Sequence, residues 1–172
     1  MHSSIHQKNP DLYTCADLLS WVPPSIVRLI DHGVLNVQNK MEIFGDEGSW
    51  KSILAQHTAH CLARGSPWFG FITTACNVFR LQVELPMYTE RVRLEKYSTA
   101  SRKIYLAKVA QDTNSKYAKA QLEKLADQYA YPGNIINRTE QFINIDERYG
   151  FESLKQNIEL TITELPARPL VV

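Results

Sequence analysis

Residues 45–52 have the residue types and spacing of a loop that binds phosphate groups. Their sequence is GDEGSWKS, in which Gly45, Lys51 and Ser52 fit the pattern G-x-x-x-x-G-K-[S/T]. Trp50 stands where that pattern has its second glycine. A loop of this kind turns several backbone N–H groups toward a pyrophosphate, and the positive end of the following helix adds to the attraction.

The two residues that close the pattern have separate chemical roles. The ammonium group of Lys51 would reach the outer phosphates, and the hydroxyl group of Ser52 would bind Mg²⁺. Asp46 and Glu47 fit only if their carboxylates point to solvent while their N–H groups point inward. The predicted nucleotide-binding residues are Gly45, Asp46, Glu47, Gly48, Ser49, Trp50, Lys51 and Ser52. The plainer alternative is a turn followed by a helix that happens to begin with Lys-Ser.

The segments around the loop are those that such a loop needs to hold it in place. Residues 41–44 form a short apolar run that predicts a strand, and residues 51–64 carry apolar positions at helical spacing. In residues 78–83, apolar side chains alternate on one face, which predicts a second strand. Pro86 then favours the start of a helix over residues 87–98.

The rest of the chain continues the alternation of strands and helices. Helical periodicity is found at residues 11–22, 25–32 (closed by Gly33), 101–130 (two helices divided at 114–115) and 150–164. In the last of these segments, the apolar stripe is expected to be core packed against the sheet; it consists of Phe151, Leu154, Ile158 and Ile162. Apolar runs typical of strands are found at residues 135–136, 142–145 and 168–172. This order predicts an α/β fold with a parallel sheet and helical crossovers.

The segment GDEGSWKSILAQHTAHCLARGSPWFGF resembles the P-loop and first helix of RecA-like ATPases. The branch it resembles is related to the hexameric plasmid helicase RepA and to KaiC/RadA-type proteins, which often carry a Gly-x-Pro-Trp-Leu-Gly stretch, here residues 65–70. Some members also place a bulky aromatic residue before the P-loop lysine, as Trp50 is placed here. Residues 77–84 resemble the second core strand, which ends in an acidic residue. The resemblance covers residues 33–100 well and 134–172 loosely.

The resemblance implies a RecA-like fold in which residues 1–36 are a helical extension and 37–172 a partial ATPase domain. Residues 101–130 would then be a helical insertion. It implies that Glu84 orients the attacking water and that Lys51 is the second catalytic residue. The family also needs an aspartate after a third apolar strand. Residues 168–172 look like the first half of that strand, so we expect an N-terminal part of a longer domain, and hydrolysis by this chain is left open.

By the same resemblance, we expect ATP and Mg²⁺ as cofactors and, in the full-length form, hydrolysis coupled to DNA replication, repair or helicase-type work. A ring-shaped homo-oligomer is also implied. Basic residues and tyrosines alternate over residues 96–124, with Tyr97, Tyr105 and Tyr117 among them, which makes single-stranded DNA a candidate partner. Two alternatives stay open: a KaiC-like regulatory nucleotide-sensing module without a DNA role, and a non-catalytic interaction domain.

Composition excludes several other classes of protein. The net charge is +1, from 19 basic and 18 acidic residues, so the chain as a whole is not a basic nucleic-acid clamp. It contains no apolar run near the roughly 18 residues of a membrane span and no signal peptide. Three cysteines without a CxxC pair favour the reducing cytoplasm. His57 and Cys61 are four residues apart and could share a metal ion, but helix packing explains them better. Cys61 belongs to the apolar stripe of this helix, and His60 is expected to face outward.

Overall fold

The computed structural model describes residues 13–22, 25–111, 119–139, 147–165 and 170–171. Its helices are α1 (Cys15–Ser20), α2 (Lys51–Arg64), α3 (Met87–Gln111), α4 (Lys119–Ala130) and α5 (Arg148–Glu164). Its strands are β1 (Arg28–Ile30), β2 (Leu35–Asn36), β3 (Asn77–Gln82), β4 (Ile135–Thr139) and β5 (Leu170–Val171). The predicted mixture of helices and strands is confirmed.

A three-stranded parallel sheet lies at the centre of the fold, in the order β4-β3-β5. Residues 78–82 of β3 pair with β4, beginning with Val78 opposite Ile135. Asn77 and Val78 of β3 pair with β5. Because α3 and α4 connect β3 to β4, and α5 lies between β4 and β5 in the chain, parallel pairing is the expected result. The predicted parallel sheet is therefore confirmed.

Helix α2 has the bounds that the sequence predicts, and it packs on the sheet through a buried face. Leu62 is 1% exposed and belongs to a core cluster with Val78 of β3 and Ile30 of β1. Gly65 ends the helix at φ +65°, with its N–H directed to the carbonyls of the last turn. The backbone angle favours glycine, and a Cβ atom there would lie 3.2 Å from Ala75, which is a tight contact.

Helices α3 and α4 lie against each other in the segment between β3 and β4. Arg102 of α3 forms ion pairs with Glu123 and Asp127 of α4, the second at 2.7 Å. The rings of Tyr105 and Tyr129 stack at 4.9 Å between the same two helices. The expectation of a helix ending at residue 98 and a new one starting at 101 is wrong, because α3 continues without a break to Gln111. The predicted division at 114–115 lies outside the described residues.

Two predictions for the N-terminal half of the chain are wrong, one for residues 25–32 and one for residues 41–44. Residues 25–32 form strand β1 and a turn instead of a helix, because Leu29 and Ile30 are buried and pair with residues distant in the sequence. The carbonyl of Leu29, for example, accepts a hydrogen bond from the N–H of Thr74 at 3.0 Å. Residues 41–44, expected to form a strand, have no ladder partner among the described residues and are irregular.

The C-terminal elements are only partly as expected. Helix α5 and strand β5 form where the sequence predicts them, whereas the predicted strand at residues 142–145 lies outside the described residues. The apolar stripe of α5 was expected to be core. Leu154 and Ile158 are partly buried, but Phe151 and Ile162 are 53% and 57% exposed, so that expectation is wrong for the two ends of the stripe.

Candidate nucleotide site

The loop of residues 45–50 leads directly into the first turn of α2 and is tightly folded. Two hydrogen bonds within the loop stabilise it: the Ser49 N–H and hydroxyl group both donate to the carbonyl of Asp46, at 3.2 and 2.6 Å. A Cβ atom on Gly45 would lie 2.7 Å from Ser49 Oγ, so a larger residue at the start of the loop would displace the Ser49 hydroxyl group. Gly48 has φ +77°, a left-handed backbone angle that favours glycine.

The side chain of Lys51 folds back across the loop. Its Nζ donates hydrogen bonds to the carbonyls of Gly45 and Asp46, both at 2.7 Å, and makes a longer contact of 3.4 Å with Ser49 Oγ. The two short bonds fix the ammonium group over the loop. The third contact is weak at that distance, so an anion at the loop would take this N–H most easily.

Trp50 adopts the backbone angle that explains why the pattern has glycine at its position. It is the N-cap of α2 with φ +65° and ψ 14°, in the left-handed region where a bulky side chain is strained. Its indole is 75% exposed, so packing does little to offset that strain. The Trp50 carbonyl still accepts the first helical hydrogen bond, from the N–H of Leu54 at 2.9 Å. Tryptophan in place of the glycine of the pattern thus keeps the loop geometry, at a cost in conformational energy.

The N-terminus of α2 presents donors without a competing anion of its own. Trp50 provides no side-chain cap, and the first turn of the helix contains no acidic residue. The first N–H groups of a helix have no intrahelical acceptor, and the helix dipole gives that end a partial positive charge. Asp46 and Glu47 are exposed, which is the arrangement in which acidic residues are tolerated beside this end. The helix end is therefore suited to bind a phosphate group.

A cavity of about 690 Å³ lies beside the loop, between α2, residues 39–43 and β3. Its lining includes Lys51 and Ser52 from the first turn of α2 and Glu84 from the turn after β3. The adjacent residues Lys51 and Ser52 thus share one cavity with Glu84, which is distant from them in the sequence. Its volume lies within the range of roughly 300–1,000 Å³ that is usual for small-molecule sites.

Sequence reasoning missed the polar residues that surround Glu84. Arg80 and Gln82 of β3 also line the cavity, and Arg80 forms an ion pair with Glu90 of α3 at 2.8 Å. With its amide oxygen turned toward the turn, Gln82 accepts hydrogen bonds from the N–H groups of Glu84 and Leu85, at 3.3 and 3.2 Å. Alternation along β3 could have placed Arg80 and Gln82 on the same face, but their partners could not be predicted from it.

The pair His57 and Cys61 is part of a packed helix face. Cys61 Sγ lies 3.5 Å from His57 Nε2, and His57 Nδ1 lies 2.9 Å from the hydroxyl oxygen of Tyr97 on α3. Burial raises the pKa of the Cys61 thiol and lowers the pKa of His57. Among the described residues, no group of three or more His, Cys, Asp or Glu side chains is placed to hold a metal ion.

His60 was expected to face outward, and that expectation is wrong. Its side chain is 3% exposed, its ring lies 4.5 Å from that of Tyr97, and its Nδ1 lies 3.0 Å from Arg64 Nη2. Burial lowers the pKa of His60 to about 3, and the positive charges of Arg64 and Arg80 act in the same direction. The imidazole is therefore neutral at physiological pH, and Nδ1 acts as the acceptor for the arginine.

Two of the three tyrosines considered for stacking on nucleic acid bases are used inside the protein. Tyr97 contacts the histidines of α2, and Tyr105 stacks on Tyr129. Tyr117 lies outside the described residues. In the part of the chain that the structure describes, no helix has the length and apolar character needed to cross a bilayer.

The parallel sheet and the helix that follows a glycine-containing loop define the class: an α/β protein with a candidate phosphate site at a helix N-terminus. Residues 8–146 match the family described as AAA domain, and this match covers most of the chain. The chain belongs to that family, whose membership indicates nucleotide binding and ATPase activity. Comparison with curated proteins gave no match, and comparison with solved structures gave none either.

Proposed function

We propose that the chain binds ATP together with Mg²⁺ at the loop of residues 45–52. The observation that carries this proposal is the position of the Lys51 ammonium group, held over the loop by two backbone carbonyls at 2.7 Å. The Lys51 ammonium group, which makes only a long contact with Ser49 Oγ through its third N–H, and the N-terminus of α2 would both attract an anion at the loop. A phosphate chain there would meet a full positive charge and the positive end of a helix.

Each predicted site residue has a role in this proposal. Gly45 and Gly48 allow the loop its backbone path. The N–H groups of residues 46–48 and 50 would surround the phosphates, whereas that of Ser49 donates to the carbonyl of Asp46. Ser52 is half-buried and lines the same cavity as Lys51, so its hydroxyl group fits a Mg²⁺ ion bound with the nucleotide. Glu84 lies at the carboxyl end of β3, on the edge of the same cavity, and would accept a proton from the attacking water.

We propose that residues 37–172 are part of a RecA-like unit, with residues 1–36 as an extension and 101–130 as an insertion. Such a unit would assemble as a homo-oligomeric ring and couple ATP hydrolysis to work on DNA. Exposed lysines on α3, among them Lys96 and Lys103, would provide contacts to phosphates of single-stranded DNA.

The internal packing of Tyr97 and Tyr105 favours a second candidate function, a regulatory nucleotide-sensing module without a DNA role. Both candidates need the same ATP site, and they differ in whether single-stranded DNA binds. Binding of a fluorescent single-stranded oligonucleotide, measured at low and at physiological salt, separates them. A steep loss of affinity with salt supports the DNA role, and lack of binding at low salt supports the regulatory module.

Calorimetric titration of the full chain with ATP and Mg²⁺ tests the proposed site. We expect saturable binding that Lys51→Ala weakens at least tenfold, because a charge-assisted contact contributes about 1.5–3 kcal/mol. Lys155→Ala is the matched control, since it removes an exposed lysine on α5 without touching the loop. Equal affinities for the wild type and the Lys51 variant would refute the proposed site.

A further inference from the structure

A buried ion pair joins the two elements that flank the turn of Glu84, and it reaches a third element as well. Arg80 Nη2 donates to Glu90 Oε1 at 2.8 Å, and the two side chains are 14% and 6% exposed. Arg80 Nη1 also donates to Oδ1 of Asn137 at 2.9 Å, and Asn137 is the register partner of Arg80 on β4. One guanidinium group therefore connects β3, the first turn of α3 and β4.

The ion pair closes the base of the turn that carries Glu84. Residues 83–86 connect β3 to α3, with Arg80 before the turn and Glu90 after it. The carbonyl of Pro86 accepts hydrogen bonds from the N–H groups of Thr89 and Glu90, at 3.0 and 3.2 Å. With its amide oxygen turned toward the turn, Gln82 accepts hydrogen bonds from the N–H groups of residues 84 and 85. The backbone at position 84 is thus held from both sides.

We propose that Arg80, Gln82 and Glu90 are positioning residues that fix Glu84 toward the bound nucleotide. This inference rests on the proposed function, because it assigns the three residues a role only through Glu84. A buried ion pair adds little net stability over apolar packing of the same volume, so its main effect here is geometric. Misplacement of a reacting group by about 1 Å can lower a rate by about a hundredfold.

Single-turnover ATP hydrolysis and ATP affinity, both measured on the full chain, test the proposal. Glu90→Gln removes the negative charge that holds Arg80, and Gln82→Ala removes the contact to the turn. We expect each variant to lower the rate by about tenfold to a hundredfold while the dissociation constant for ATP changes less than threefold. Asp127→Asn, which breaks an exposed ion pair between α3 and α4, is the control and leaves both quantities unchanged.

The decisive comparison uses Glu84→Gln as a background. If Glu90 and Gln82 act through Glu84, either change has no further effect on a chain that already lacks the Glu84 carboxylate. Losses that add to that of Glu84→Gln would show a merely structural role and overturn the proposal. Should Glu90→Gln not fold, as judged by circular dichroism, Gln82→Ala gives the same comparison without breaking the ion pair.

The remaining outcomes separate this inference from the proposed function. Rates unchanged in both variants overturn the positioning role and leave the ATP site intact. A wild-type chain that binds ATP but shows no turnover overturns it as well, since Glu84 then has no water to orient. A wild-type chain without ATP binding refutes the proposed function and with it the inference.

Discussion

Replacing Trp50 with glycine is expected to make the protein more stable, although it deletes a large apolar side chain. Trp50 has φ +65°, where an L-residue pays roughly 1–2 kcal/mol relative to a right-handed backbone. Glycine adopts this angle without a steric penalty, but its extra freedom in the unfolded chain costs about 0.4–1 kcal/mol. The midpoints of these two ranges, about 1.5 and about 0.7 kcal/mol, differ by about 0.8 kcal/mol, so we expect a net gain of about 0.5–1 kcal/mol.

Loss of the indole should subtract little from this gain, because the side chain is 75% exposed. For a chain of this size, a gain of 0.5–1 kcal/mol raises the melting temperature by about 1–4 °C. Urea denaturation followed by circular dichroism measures the free energy of unfolding, and a thermal scan measures the melting temperature.

Two control variants separate relief of strain from loss of the ring. Trp50→Ala removes the ring but keeps a Cβ atom at the strained angle, so it should not be stabilised. Trp21→Gly removes an indole that is 61% exposed at φ −71°, where glycine has no steric advantage, and should be neutral or destabilising. If Trp50→Gly is no more stable than Trp50→Ala, the argument from backbone strain is refuted.

Three further predictions concern the core around α2. The folded-state pKa of His60, about 3, lies below its unfolded value near 6.5, so the free energy of unfolding decreases as pH falls, by about 2 kcal/mol between pH 7 and 5. Urea titrations at several pH values should show a weaker pH dependence for His60→Gln. In a thiol titration of the native protein, only the exposed Cys15 should react fast, and Cys61 and Cys76 should react only in denaturant. Asn134→Ala removes donors to two backbone carbonyls, at 2.8 and 2.7 Å, and should cost about 2 kcal/mol of unfolding free energy.

A pH profile of the His60→Gln variant that runs parallel to the wild type would contradict the assignment of a buried neutral imidazole. Equally fast reaction of all three thiols in the native protein would contradict the described burial. Unchanged stability of the Asn134→Ala variant would show that its two hydrogen bonds do not link the turn before β4 to α2 and to Cys76, the residue before β3.

Local signals were sufficient for the elements that position the site. Helix α2 begins and ends where its lysine-serine start and Gly65 predict, since capping depends on neighbouring residues. Strand β3 forms where its alternating apolar residues predict it, although its buried residues are consecutive and do not alternate. The order of elements predicts the parallel sheet. The grouping of Lys51, Ser52 and Glu84 around one cavity follows from these elements alone.

Other features depend on contacts between distant residues, which periodicity does not contain. The segment of Leu29 and Ile30 is a strand because residues 72–74 lie beside it, although its local pattern also fits a helix. His60 is buried because α3 places Tyr97 over it, so the face of α2 that carries it is not the solvent face. The Arg80–Glu90 pair likewise joins two elements whose relative position the sequence pattern does not specify.

Amide hydrogen exchange of the loop, with and without ATP and Mg²⁺, tests the central claim most directly. We predict that ATP slows exchange of the backbone N–H groups of residues 46–52, and that Lys51→Ala abolishes this protection while the rest of α2 exchanges as before. Binding of ATP that protects other segments and leaves residues 46–52 unchanged would contradict the claim that these amides hold the phosphates.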